Sequence, residues 1–187
     1  MAKTVNRKAT PMQSVLTRPG RPLRTNCRGL ATVLNECYLA MGITLRVITC
    51  LLKVYVIDCH VINDVYSRTL GKWLWMDPTN NAWVTDGQAH LLSIQEVRER
   101  FRSGRSLRFN KEANWSNSTP VEAEWYLYDY MAKNLYFLEC WSRYGFNTES
   151  SRSFHYIMLS SVGCRSSLCR VEEVNVNGDI DFWQTPQ

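Results

Sequence analysis

The chain has 187 residues, of which 45% are apolar and 21% charged, with a formal net charge of +5. These proportions fit one globular domain with a sizeable core and exclude wholesale disorder. Nine Gly and six Pro exclude a collagen-like or low-complexity chain. Apolar runs are only a few residues long, so no membrane span is expected. The polar, basic N-terminal stretch carries no secretion signal, which makes a cytoplasmic setting the expectation, or a secreted or cell-envelope one if the N-terminus has been trimmed.

The charge is unevenly placed. Residues 1–28 hold Lys3, Arg7, Lys8, Arg18, Arg21, Arg24 and Arg28 with no acid, so the rest of the chain sums to −2. A second basic cluster spans Arg98 to Lys111, opposed only by Glu99. Both are read as a flexible leader and a solvated helix face. An anionic partner is the rival reading, but no nucleic-acid-binding motif accompanies the charge, so nucleic acid is not the expected partner. The seven cysteines are Cys27, Cys37, Cys50, Cys59, Cys140, Cys164 and Cys169. An odd number without a C-x-x-C pair or a nearby histidine set points to reduced, mostly buried thiols and away from zinc. No cofactor or metal is expected. The sequons at Asn114 and Asn117 read as a polar loop.

In chain order, residues 1–25 have no periodicity and read as an extended leader. From Asn26, the apolar positions Leu30, Val33, Leu34, Cys37, Tyr38 and Met41 recur at helical spacing, which predicts an amphipathic helix with that face inward, stopped by Gly42. Ile43–Tyr55 and Val56–Tyr66 read as strands. The second would place His60, Ile62, Asp64 and Tyr66 on one face. Leu70–Lys72 is a turn, and Trp73–Asp77 a third strand ended by Pro78. Ser93–Glu96 is a capping box opening a helix that closes near Gly104. Glu122–Leu138 reads as a second amphipathic helix, Arg152–Val162 and Leu168–Val176 as strands, and Asp179–Pro186 as an aromatic-tipped terminus. The order predicts an α+β fold, with a leader over 1–25 and one domain over 26–187, its core at 26–86 and a C-terminal extension at 87–187.

Three residues invite chemistry. Cys27 lies in the first turn of the first helix, where the macrodipole, the unpaired N–H groups, and Arg24 and Arg28 favour a thiolate. His60 lies within a strand and Asp77 ends the next. Thiol, imidazole and carboxylate form a nucleophile, a base and an orienting group. Each also has a plain structural reading: a small core residue, a hydrogen-bonded strand histidine, and the cap of an Asp-Pro turn. Trp73, Trp75, Trp83 and Tyr66 are candidates for a cleft wall, though core packing is preferred for at least two of the tryptophans. Asn80 and Asn81 either meet substrate or shape the turn.

Asn26-Cys27-Arg28-Gly29-Leu30-Ala31, followed by a helix and Met41-Gly42-Ile43-Thr44-Leu45-Arg46-Val47, resembles the opening of the transglutaminase-like superfamily. His60-Val61-Ile62-Asn63-Asp64-Val65-Tyr66 resembles its histidine strand, and Gly71-Lys72-Trp73-Leu74-Trp75-Met76-Asp77-Pro78-Thr79 its aspartate element. The likeness is densest over 26–86 and continues more loosely through Leu92–Arg98 and Phe182-Trp183, as in bacterial members. It implies a papain-like core with the cysteine helix packed on an antiparallel sheet. It also implies Cys27 as nucleophile, His60 as general base and acid, and Asp77 as the carboxylate that fixes the imidazole. The implied activity is acyl transfer on a protein or peptide carboxamide or peptide bond, as a protease, deamidase or transamidase. A catalytically silent domain of that fold, binding protein or glycan, is the alternative; a basic adaptor for an anionic polymer is the third. Oligomeric state is not legible.

Overall fold

The computed structural model describes residues 25–53, 58–141, 156–159, 174–175 and 182–186. The leader up to Arg24, Cys164, Cys169 and most of the two C-terminal strands expected from sequence lie outside them.

Helix α1 spans Cys27–Ala40. Asn26 caps it, its side chain accepting the Gly29 N–H, as a short polar side chain in extended backbone does best. The other end closes on Gly42 at φ +73°. The Gly42 N–H reaches Leu39 O and the Ile43 N–H reaches Tyr38 O, the double closure for which a left-handed glycine is favoured. The inward face is not the one expected. Ala31, Thr32, Asn35 and Glu36 are buried, while Cys37 is exposed and Met41 is 64% exposed. Small Ala31 lets the helix axis approach the sheet closely enough for Asn63 Nδ2 to donate to Ala31 O. The larger Leu30, Leu34 and Tyr38 are turned aside into a groove.

Strands β1 (Leu45–Leu51), β2 (Cys59–Ser67) and β3 (Lys72–Met76) follow. β1–β2 and β2–β3 pair antiparallel, with Cys50 opposite His60 and Arg46 opposite Asp64. The alternation expected for β2 is present, but both faces are buried. Val61 packs with Val47 and Ala31 toward α1; Ile62 packs with Ile48 and Trp75 in the larger core on the other side. The six-stranded sheet has the order β10-β9-β8-β1-β2-β3, where β8 is Phe137–Trp141, β9 Tyr156–Leu159 and β10 Val174–Asn175. Its pairings are antiparallel except β9–β10. The chain is thus α+β, as expected.

Beyond β3, the short strands β4 (Val84–Thr85) and β5 (Arg108–Phe109) pair around helix α2 (Ile94–Ser103). α2 starts at the capping box of Ser93 and Glu96 and ends at left-handed Gly104, as the sequence predicts. Part of the basic cluster is structural rather than solvated. Buried Arg98 donates to Leu135 O and Tyr136 O, and Arg100 to Ser106 O and Asp86. A hairpin of β6 (Asn114–Trp115) and β7 (Thr119–Pro120) follows.

The helix expected over 122–138 differs in kind and length. Trp125–Met131 is a π-helix, continued by the single turn α3 (Ala132–Asn134). The Ala132 N–H bonds Leu127 O, five residues back, so residues five apart are superposed, and Trp125 stacks on Tyr130 at 5.3 Å and 10°. The chain then leaves the helix because Phe137–Cys140 pair with β1, a tertiary demand that local helical spacing cannot reveal.

Candidate active site

The cap on Asn26 places Cys27 at the first helical position. The first-turn N–H groups there have no intrahelical acceptor. A Cβ at Gly29 would meet Thr25 Oγ1, so the glycine lets Thr25 lie close against the first turn. Cys27 is half-buried against Ala31, Val47 and Val61. His60 enters from the start of β2 and is buried. Asp77 follows β3 directly, held in a turn by a bridge to Ala82.

The structure brings the three together. His60 Nε2 lies 2.7 Å from Asp77 Oδ2, and the His60 ring is near enough to Cys27 for each to shift the other's pKa. With Nε2 occupied by the carboxylate, Nδ1 is the nitrogen left for sulfur. Burial works to raise the Cys27 pKa, but the His60 hydrogen bond and charge, with the backbone N–H groups of Val61 and Arg28, bring it below the ordinary thiol value. Burial works to lower the His60 pKa, and Asp77 and Cys27 overcome it, holding the ring protonated up to about 9. The Asp77 carboxyl is also lowered, against its burial, by His60, Tyr126 and Asn80. A lowered thiol beside a raised imidazole favours the thiolate–imidazolium form over the neutral pair.

The aspartate is heavily anchored. Oδ2 also accepts from Tyr126 Oη at 2.6 Å and Asn80 Nδ2 at 2.8 Å. Oδ1 accepts the backbone N–H groups of Thr79 and Asn80 at 2.8 and 3.3 Å. Asn80 therefore serves the carboxylate, and Asn81 reaches Glu112 O. The β6–β7 hairpin is tied to the same turn, Asn114 N–H donating to Asn80 O and Ser116 N–H to Thr79 O. The π-helix closes the other side. Tyr126 is fully buried beneath Asp77, and the Tyr130 ring meets His60 edge-on at 5.3 Å. Sequence reading singled out neither tyrosine. The signal for them was the density of Trp and Tyr over 125–130, to which an amphipathic-helix reading gives no role in the site.

Of the cleft-wall candidates, Trp73 and Trp75 are core. Trp83 lines a groove of about 1090 Å³ between α1 and the β6–β7 hairpin, together with Leu30, Leu34, Tyr38 and Trp115. The groove reaches the triad only at Asp77; Cys27 and His60 are not in its lining. A smaller pocket of about 470 Å³ opens on the far side of Trp115, toward Asn80 and Trp125. Among the described residues, no helix is long and apolar enough to cross a membrane. In comparison with known proteins, no family model, no curated protein and no solved structure matches the chain.

Proposed function

We propose that the protein is a thiol-dependent acyl-transfer enzyme of the transglutaminase-like kind, acting on a carboxamide or peptide bond of a protein or peptide. The observation that carries this reading is the His60 ring, held by Asp77 at 2.7 Å and near enough to Cys27 that each shifts the other's pKa. On this reading, α1 and the strands beneath it form a papain-like core. The lowered Cys27 pKa favours chemistry over a silent scaffold, which has no use for a thiolate held against its own burial.

The Cys27 thiolate adds to the carbonyl carbon and forms a C–S bond. The Cys27 backbone N–H at the helix start serves, on this reading, as one donor to the developing oxyanion. The C–N bond then breaks as His60 Nδ1 gives its proton to the leaving nitrogen, which departs as ammonia or an amine. Water or a second amine yields a proton to His60 as it attacks the thioester, and the C–S bond breaks to restore the thiolate. Throughout, Asp77 keeps the ring oriented with Nδ1 toward sulfur.

The test is intact-mass spectrometry of the protein incubated with glutamine-containing peptides, with and without a primary amine. A Cys27 adduct equal to the peptide less ammonia is expected, discharged by the amine and lost in Cys27→Ser. Ammonia release or peptide cleavage undiminished in Cys27→Ser overturns the reading.

A further inference from the structure

Trp115 and Trp125 are 54% and 50% exposed, which is unusual for the largest side chain in a chain that buries Trp73, Trp75 and Trp141. They face the same pocket, with Asn80 and Glu122 beside them. Trp125 is held in place by its stack on Tyr130, so little freedom is lost when a ligand covers it.

The pocket presents hydrogen-bond acceptors. Asn80 gives one Nδ2 hydrogen to Asp77, and its backbone oxygen accepts from Asn114. Its side-chain carbonyl oxygen remains as an acceptor. Glu122 contributes a carboxylate. From residue 112 to residue 130 the chain carries Glu112, Glu122, Glu124 and Asp129 and no Lys, Arg or His. Indole faces together with a carboxylate and an amide oxygen suit a cation on an aliphatic stem: the stem covers the rings, and the charged head meets the acceptors and the ring quadrupole. An acidic side chain would be repelled. An uncharged one would leave Glu122 and the Asn80 oxygen desolvated without a donor.

The pocket is joined to the reacting groups at two points. Asn80 bonds Asp77 directly, and Trp125 stacks on the tyrosine that meets His60. We propose that the pocket between Trp115 and Trp125 is a subsite for a cationic side chain, lysine or arginine, of the peptide substrate. This deepens the acyl-transfer reading and rests on it for the word substrate. The consequence is selectivity for peptides that carry a basic residue near the bond attacked.

Binding to the full chain bearing Cys27→Ala, which forms no thioester, separates the two ideas. The probes are glycine-capped glutamine peptides with lysine, acetyl-lysine or norleucine at each position flanking the glutamine, titrated by calorimetry. The lysine peptide is expected to bind at least tenfold more tightly than both analogues at one flanking position. Adding Glu122→Gln should remove most of that preference, and Trp125→Leu should weaken the lysine peptide several-fold. Glu112→Gln, outside the pocket, should leave the preference intact. Far-UV circular dichroism and the melting temperature check that each variant is folded. Equal binding of the three peptides, or a lysine preference that survives Glu122→Gln, overturns the subsite. A preference of the expected kind with no thioester in the Cys27-containing protein would leave the subsite standing and remove the enzyme.

Discussion

Asp77 accepts five hydrogen bonds, three of them on Oδ2, and this arrangement sets the pH behaviour of the whole relay. Alkylation of Cys27 by iodoacetamide needs only the thiolate, so its rate should rise through a midpoint below that of an ordinary thiol and then stay level. Acyl transfer also needs the His60 proton, so kcat/KM should fall again as pH rises through about 9. Alkylation and turnover that share one alkaline fall would contradict this assignment of roles. His60→Asn should slow alkylation at pH 7, because burial then acts on the thiol against only the backbone N–H groups of Val61 and Arg28. Tyr126→Phe removes a donor from Asp77 and makes the carboxylate more basic, so His60 holds its proton more firmly. Its alkaline limb should move up from about 9, with about 1–2 kcal/mol lost in urea denaturation. An unmoved limb would reduce Tyr126 to a packing residue.

The first helix and the π-helix do different work. α1 delivers the sulfur at an N-terminus whose position depends on one cap, Asn26 to Gly29 N–H. Asn26→Ala should cost about 1 kcal/mol of stability. It should also slow alkylation of Cys27 beyond what that loss explains, because the first turn itself would loosen; thermal melts and alkylation rates on the same samples decide it. The π-helix sets three aromatic side chains on the site: Tyr126 under Asp77, Tyr130 on His60, and Trp125 on Tyr130. Only the i→i+5 pattern stacks Trp125 on Tyr130, and such wide turns recur at functional sites.

Across the molecule, strands β1 and β2 are buried on both faces, and the site lies where β2 and β3 meet the first turn of α1. A second buried polar cluster supports the same sheet. Arg46 pairs with Asp64 at 2.8 Å and lies over the rings of Trp73 and Phe182. The Arg46 side chain also donates to Phe182 O, and Trp73 Nε1 donates to Gln184 O, so residues 182–184 are fastened to β1 and β3, the strands on either side of the one that carries His60. Arg46→Met would leave Asp64 buried without its cation. A loss of about 3–5 kcal/mol is expected in chemical denaturation, and a loss below 1 kcal/mol would refute the anchoring role.

Caps, turns and strand alternation were legible because they are local. Gly42, the Ser93–Glu96 box and Gly104 act on the turns next to them, and the α+β order follows from where they fall; the equally local cap at Asn26 was passed over. The three residues of the relay were legible as types in an order that resembles a known family. Their convergence was not, since it depends on the β1–β2–β3 register and on how closely α1 lies over Val61. Sequence periodicity turned the wrong face of α1 inward, because it weighs apolar size, whereas the tight approach to the sheet requires small Ala31. The same blindness concealed Tyr126 and Tyr130: their aromatic spacing fits a plain helix, and only packing against Asp77 and His60 made them part of the site. Local hydrogen bonding and hydrophobic period are written along the chain, while register, helix face and the partners of a buried carboxylate exist only once distant segments have met.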